Sequence, residues 1–341
     1  MTIVRTDISI RSFRPGDRSE VLALLTATMA GGPTGERTAD FFGWKHERNP
    51  FGPSLALVAE ADGRIVGFRT FMRWRFVRNG RPLHAVRAVD TATHPQFQGR
   101  GIFTRLTRHA LERAVDGDID LIFNTPNNQS LPGYLKMGWS AVGEVPIALR
   151  VARPLHFARR LRRRSGPPPP GPVPDTHLPP AAVELEDASA VQTLLDRAGQ
   201  PDDRLRTDRD AAYLRWRYAE APGLDYRAVA HRVNGQLRGI AIGRPRWRGA
   251  LAEFTLSEVI VDIGDHATAR RLLSKVAACG VDHVATHLEG WPTADRSRRR
   301  AGYLALPGQS MMLVARSVAP DVELRTSRSD WALSLGDLEV F

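Results

Sequence analysis

The sequence predicts an α/β protein in which one fold, with both hairpin and crossover connections, occurs twice. Three observations carry this expectation. The chain has 341 residues, more than the roughly 100–200 of a single domain. Strand-like alternation and helix-like spacing of apolar residues succeed one another along it. A set of residues in the first half also returns in the second at a near-constant offset. Asp17, Ser19, Val21, Leu24 and Leu25 are answered by Asp187, Ser189, Val191, Leu194 and Leu195. Phe41, Phe42 and Trp44 match Tyr213, Leu214 and Trp216, while Pro50, Gly63 and Gly67 match Pro222, Gly235 and Gly239.

In the first copy, residues 8–13 alternate as a strand. Asp17 with Glu20 three residues on predicts a capping box ahead of a helix through 21–25. A second helical stretch surrounds 38–46. Asp62-Gly63, between 55–61 and 64–74, supplies a tight turn, as Asn234-Gly235 does in the second copy, so both read as β-hairpins. Residues 83–93 form the next strand. Ile102, Leu106, Ala110 and Ala114, spaced by four, put a helix over 101–115. Residues 121–124 read as a short buried strand, 130–137 as a short helix, and 142–151 as the strand that closes the sheet. Trp44 and Trp216 are expected in the core, where they seat helices. The end of the chain, 331–341, reads as a final alternating strand.

The main boundary is a proline tract, with eight prolines in 165–180. Fixed φ and missing amide donors keep such a stretch extended. The expected organisation is therefore residues 1–151, an Arg/Pro-rich connector over 152–182, and residues 183–341. Just before the tract, 154–164 reads as a short basic helix with a thin apolar edge, a solvated connector more readily than a membrane contact.

Composition narrows the function classes. At 42% hydrophobic and 25% charged, the chain has enough apolar material for a sizeable core, which excludes a mainly disordered protein. The densest apolar run, 21–30, includes Thr26 and Thr28 and falls short of the roughly 18 residues that span a bilayer. No leader segment is visible, and the lone Cys279 excludes a disulfide framework and a cysteine-rich metal site. A cytoplasmic protein is expected. The net charge is +11, and all basic residues except Lys45, Lys136 and Lys275 are arginine. They are spread along the chain, so composition bias explains them as well as an anionic partner does.

The chemistry is concentrated between residues 90 and 139. Thr93-His94-Pro95-Gln96-Phe97-Gln98-Gly99-Arg100-Gly101-Ile102-Phe103 runs from a strand through a glycine turn into a helix. Unpaired amides at such a helix start, with the positive end of the helix dipole, form an anion site. The turn is neither a three-glycine dinucleotide fingerprint nor a Walker loop. After the next buried strand comes Asn127-Asn128-Gln129-Ser130-Leu131-Pro132-Gly133-Tyr134-Leu135-Lys136-Met137-Gly138-Trp139.

These two segments resemble the GNAT superfamily of N-acetyltransferases. The family's coenzyme A loop, Gln/Arg-x-x-Gly-x-Gly/Ala, is met by Gln96 to Gly101. Its later Asn…Tyr-x-Lys-x-Gly-Phe motif is met by Asn127, Ser130, Tyr134, Lys136 and Gly138, with Trp139 in place of Phe. The resemblance covers about 1–150 directly and 183–315 only through the internal repeat. It implies an α/β chain of two tandem GNAT-type domains, each a mixed, mostly antiparallel sheet flanked by helices.

The resemblance also implies roles. Amides of Gln98, Gly99, Arg100, Gly101, Ile102 and Phe103 would hold the pyrophosphate of acetyl-CoA, and Thr91, Ala92 and Thr93 would pair with its pantetheine arm. Gln96 opens the loop, Ser130 lies in the later motif, and Asn127 would orient the coenzyme. Tyr134 would protonate the leaving thiolate. A phenol ionises near pH 10 and a thiol near 8.5, so that transfer is uphill unless the site assists it. A general base must also strip a proton from the acceptor. Asp90 is the first candidate, Glu144 and His84 are weaker, and Asp337 or the terminal carboxylate of Phe341 remain open. A core tyrosine at 134, an Asx turn at Asn127 and a structurally paired Asp90 are the alternatives.

The second copy lacks this apparatus. Val261-Asp262-Ile263-Gly264-Asp265-His266 has no glycine pair, and alignment of Gly302 with Gly138 puts Arg298 where the first copy has Tyr134. The expected activity is therefore transfer of an acetyl group from acetyl-CoA to a primary amine of a small molecule, in a ternary complex, with no metal. The basic balance leans slightly towards an anionic acceptor. Two alternatives stand beside it: a Fem-like aminoacyl-tRNA-dependent ligase, and a non-catalytic acyl-CoA or nucleic-acid binding protein. No aromatic-basic interleaving favours nucleic acid.

Overall fold

The computed structural model describes residues 7–29, 38–162, 173–199, 203–319, 322 and 326–339. The first half runs β1 (Ile8–Ser12), α1 (Arg18–Met29), α2 (Ala39–His46), β2 (Leu55–Ala61), β3 (Arg64–Arg78), β4 (Arg81–Thr93), α3 (Ile102–Val115), β5 (Leu121–Asn124), α4 (Leu131–Lys136), β6 (Ser140–Val151) and α5 (Pro154–Arg162). The second half runs α6 (Ala181–Glu184), α7 (Ala188–Ala198), β7 (Leu205–Thr207) and α8 (Ala211–Leu214), which continues as a π-helical turn to Ala219. It goes on through β8 (Arg227–Val233), β9 (Gln236–Arg248), β10 (Leu251–Val261), α9 (His266–Ala277), β11 (His283–Thr286), α10 (Pro292–Arg298), β12 (Leu304–Ser317), β13 (Trp331–Ala332) and α11 (Leu335–Leu338). The succession from β2 to β6 returns from β8 to β12 with the same element types in the same order. The proline tract up to residue 172 lies outside the described residues.

All strands of the described residues belong to one sheet, in the order β1-β2-β3-β4-β5-β12-β6-β11-β10-β9-β8, with β7 and β13 beside it. Most neighbours are antiparallel, while β4–β5 and β10–β11 run parallel. The expectation that β6 closes the first sheet is corrected here. Strand β6 lies mid-sheet between β12 and β11, and β12 takes the place beside β5. The two halves thus exchange their last strands, which satisfies two strand edges that would otherwise be open.

The recurring residues have physical reasons to recur. Asp62-Gly63 and Asn234-Gly235 have φ of 51°, 73°, 50° and 78°, the left-handed pairs of a two-residue hairpin turn. A Cβ on Gly67 would sit 2.7 Å from the Ile102 Cγ2 of α3, and one on Gly239 would sit 2.8 Å from the Thr268 Cγ2 of α9. Each glycine lets a crossover helix lie directly on its hairpin. Trp44 and Trp216 stack at 5.0 Å, and each indole donates to the other's backbone carbonyl, at 2.8 and 3.1 Å. Their positions in the two halves are equivalent, so the pair marks a pseudo-twofold relation in the core.

Two local expectations differ from the structure. Asp17 does not cap α1 with Glu20. Its carboxylate holds Arg11, at 2.7 and 3.0 Å, and the Arg14 amide, while Glu20 accepts from the Ile65 amide at 2.8 Å. A cation and an open hairpin amide outcompete the helix start for these carboxylates. The chain's end is not one long strand either: β13 stops at Ala332, and α11 follows as a single turn.

Candidate active site

Strand β4 ends at Thr93, and the chain passes a tight turn at Pro95–Phe97 before α3 begins. Gly99 and Gly101 have φ of 75° and 73°. A Cβ on either would meet nothing within 4 Å, so the left-handed backbone rather than crowding calls for glycine. Gly101 is the N-cap of α3 and brings no side chain to the helix start. The first amides of α3 are therefore left for an outside acceptor. They face a cleft of about 530 Å³ lined by Thr93, Gln98, Gly99, Gly101, Ile102 and Phe103 on one side. Asn127 and Ser130 line the other, with Gln129 and Gly133. Phe97, which the motif reading passed over, also lines it, and Arg100 stacks over its ring at 4.8 Å. Gln96 is exposed on the loop outside this lining.

The parallel pairing of β4 with β5 runs from Ala85–Leu121 to Arg87–Phe123 and then stops. Beyond it the strands part, and β4 continues to Thr93 paired only with β3. A bulge interrupts that last pairing: Arg69 faces Thr91, Thr70 faces Val89, and Asp90 is the extra residue. Asp90 takes φ 37°, a conformation that costs a non-glycine residue on the order of 1 kcal/mol or more. Its side chain turns away from α3. Oδ2 lies 2.7 Å from Lys45 Nζ and 2.9 Å from His46 Nε2, and His46 Nδ1 lies 2.9 Å from Ser54 Oγ. All three of Lys45, His46 and Asp90 are buried. Past the bulge, Thr91 and Thr93 face α3, whereas Ala92 packs with α1 in a cluster around Val21 and Leu24.

Tyr134 stands on α4, a one-and-a-half-turn helix reached through an Asx turn. Asn127 Oδ1 accepts from the Gln129 and Ser130 amides and from Ser130 Oγ, at 2.9–3.1 Å. The Asx turn and the cleft-lining position thus coexist at Asn127. The Tyr134 ring is buried, edge-on to Phe103 at 5.7 Å and to Trp139 at 5.1 Å. Across its face lies the guanidinium of Arg69, 5.3 Å from the ring centroid. Lys45, His46 and Arg69 were not singled out from the sequence. The only available signal was their charge amid apolar residues, in Phe41-Phe42-Gly43-Trp44-Lys45-His46 and Val66-Gly67-Phe68-Arg69.

The weaker base candidates lie elsewhere or are engaged. His84 is half exposed and pairs with Asp118 at 3.0 Å, near the start of β5 and away from its splayed end. Glu144 is exposed on β6 and accepts from Ser310 at 3.0 Å. Asp337 is fully buried, and Arg209 Nη2 reaches both its oxygens at 2.6 Å. Phe341 lies outside the described residues.

The corresponding region of the second half is built differently. Asp265 caps α9 through the Thr268 amide at 2.9 Å, so a carboxylate occupies the helix start that α3 leaves open. Strands β10 and β11 part beyond Leu256–Thr286, and the chain's own end lies against that gap. Gly290 N donates to Leu333 O and Leu335 N to His287 O, each at 2.7 Å. A Cβ on Gly336 would fall 2.1 Å from the Tyr218 hydroxyl. Arg298 is tied to Asp295 at 2.6 Å.

Residues 9–142 match the family described as Acetyltransferase (GNAT) domain. No curated protein sequence matches the chain. Among solved structures, the chain is similar to a GCN5-related N-acetyltransferase from Kribbella flavida, at 14% identity and TM-score 0.59, over 93% of this chain and 72% of the other. It is similar to a probable N-acyltransferase from Enterococcus faecalis, at 13% identity and TM-score 0.61, over 92% and 73%. It is also similar to Eis1 from Mycobacterium abscessus, at 17% identity and TM-score 0.56, over 92% and 74%. At such identities the likeness is one of fold, and it extends over both halves. The family model thus covers the segment that carries the glycine turn, the splayed strands and Tyr134.

Proposed function

We propose that the protein transfers an acetyl group from acetyl-CoA to a primary amine of a small molecule, and that only the first half carries the chemistry. The observation that supports this most is the uncapped start of α3, which opens through Gly99 and Gly101 onto the cleft shared with Asn127 and Ser130. Its donors and positive helix end suit a pyrophosphate. The edge of β4 from Thr91 to Thr93 suits the amides of a pantetheine arm. The second half, with Asp265 at its helix start and residues 333–336 against its gap, is read as a degenerate copy that completes the first.

In the reaction the amine nitrogen attacks the thioester carbonyl. The N–C bond forms, the C–S bond breaks, and the electron pair goes to sulfur. Tyr134 supplies the proton that the sulfur takes up. The nitrogen gives up its proton to water in the cleft, because Asp90, the first base candidate, is buried on the side of β4 away from α3 with its carboxylate held by Lys45 and His46, the arrangement of a structurally paired strand aspartate.

Calorimetry with acetyl-CoA tests the reading on wild type, Gly99→Glu and Tyr134→Phe. Micromolar binding by wild type, lost in Gly99→Glu and kept in Tyr134→Phe, is expected. Equal binding by wild type and Gly99→Glu would move the coenzyme elsewhere. No binding by wild type would bring the tRNA-dependent ligase forward.

A further inference from the structure

Arg69 is buried with almost nothing to balance it. Its side chain is 0% exposed. Among the described residues its one hydrogen bond is from Nη1 to the hydroxyl of Thr91, and Nε and Nη2 have no partner. The other deeply buried arginines are answered by oxygens. Arg87 Nη2 donates to the Leu338 carbonyl at 2.6 Å, Arg209 pairs with Asp337, and Arg244 pairs with Glu339. Arg69 instead lies among three aromatic rings, those of Phe71, Tyr134 and Phe103, at 4.9, 5.3 and 5.5 Å. Ring faces attract a cation, but they carry no net charge to cancel it. An uncompensated cation in a dry site is costly to fold around, and it strongly favours any negative charge that forms nearby.

The position says which charge that is. Arg69 lies opposite Thr91, directly past the bulge at Asp90, and under the ring whose hydroxyl is the proposed proton donor. When the C–S bond breaks, an electron pair lands on sulfur before the phenol proton reaches it. A phenol is a weaker acid than a thiol, so that transfer is uphill without help.

We propose that Arg69 is a positioning residue that stabilises the negative charge on the leaving sulfur and holds the Tyr134 ring in place to protonate it. This rests on the acetyl-CoA reading above. Arg69, like Tyr134 and Thr91, lies just behind the residues that line the cleft, so it acts through its field and by holding the Tyr134 ring rather than by touching the substrate. The same field acts on coenzyme A itself, the product, whose thiol would ionise more readily when bound than when free.

The test follows the thiolate ultraviolet absorbance of bound coenzyme A against pH, on the full chain. Wild type, Arg69→Lys, Arg69→Met and Arg69→Gln are compared. Affinity for a coenzyme A analogue lacking the sulfur atom reports binding alone. The bound thiol of wild type is expected to ionise below the free thiol. The neutral variants should raise that midpoint by roughly one pH unit, a tenfold change. Arg69→Lys should keep most of the shift, and the sulfur-free analogue should bind all variants within about threefold. An unshifted thiol on wild type overturns the proposal, even where a neutral variant does not fold. So does a neutral variant that binds and leaves the midpoint where it was. Failure of wild type to bind either compound would instead overturn the acetyl-CoA reading, a separate result.

Discussion

Arg209 is where a single side chain holds most. It is 4% exposed, meets Asp337 at 2.6 Å and lies 3.4 Å from Glu258. Burial pushes the Glu258 carboxyl above its usual range, and the Arg209 charge opposes that. Arg209→Met would leave two buried carboxylates facing each other. The expected cost is about 3–5 kcal/mol, the range for breaking one partner of a buried pair, read as a lower urea midpoint. An unchanged midpoint would show that water already reaches these groups. The sequence did not reveal this residue, because in a chain whose basic residues are nearly all arginine a structural or electrostatic arginine has no distinguishing mark. Arg69 is hidden for the same reason. Gly99 and Gly101 were legible because a turn and a helix start are local, with their residue types set by neighbours a few positions away, whereas Tyr134 was singled out only by the resemblance of its segment to a family motif.

Among the elements, the segment after β11 is a pH-sensitive pin. His287 Nδ1 donates to the Pro146 carbonyl on β6 at 3.0 Å, and Nε2 accepts from Arg328 at 2.9 Å, so both nitrogens are used by the neutral ring. Burial, followed by the Arg328 charge, pulls the imidazole from about 6.5 down to about 4. The unfolded chain therefore takes up this proton at higher pH than the folded one. Stability from this group is full above about pH 6.5 and is lost as pH falls towards 4, by up to about 3 kcal/mol. His287→Gln should flatten the urea midpoint between those pH values, and an unchanged slope would count against the ring as its source. At this scale the hairpins and most helices were readable from turn residues and apolar spacing. The cap at Asp17 and the last strand were not. Arg11 and the Ile65 amide compete for the carboxylates, and the apolar residues of 331–338 pack into the core as a bridge and one helical turn rather than along a strand.

For the whole molecule, the repeat was visible in the sequence and the exchange of β6 and β12 was not. Recurrence of Trp44 as Trp216 or Gly67 as Gly239 reports equal environments. Which strand lies beside β5 depends on pairing between residues far apart, and both candidates carry the same alternation. The exchange predicts that residues 1–151 do not form a stable monomer, since both neighbours of β6 and one neighbour of β5 come from the second half. Light scattering should find that fragment self-associated, and co-expression with residues 173–341 should restore a one-to-one complex. A monomeric, cooperatively melting fragment would mean that β6 can fold back onto β5 unaided.

The same exchange sets a timetable for synthesis. β5 leaves the ribosome early, yet its neighbour β12 ends at Ser317, close to the chain's end. At roughly 5–20 residues per second, the edge of Leu121–Asn124 that faces away from β4 waits on the order of ten seconds or more for the strand that covers it. During that interval the uncovered edge is open to pairing with other chains, and slow translation of the second half would lengthen its exposure.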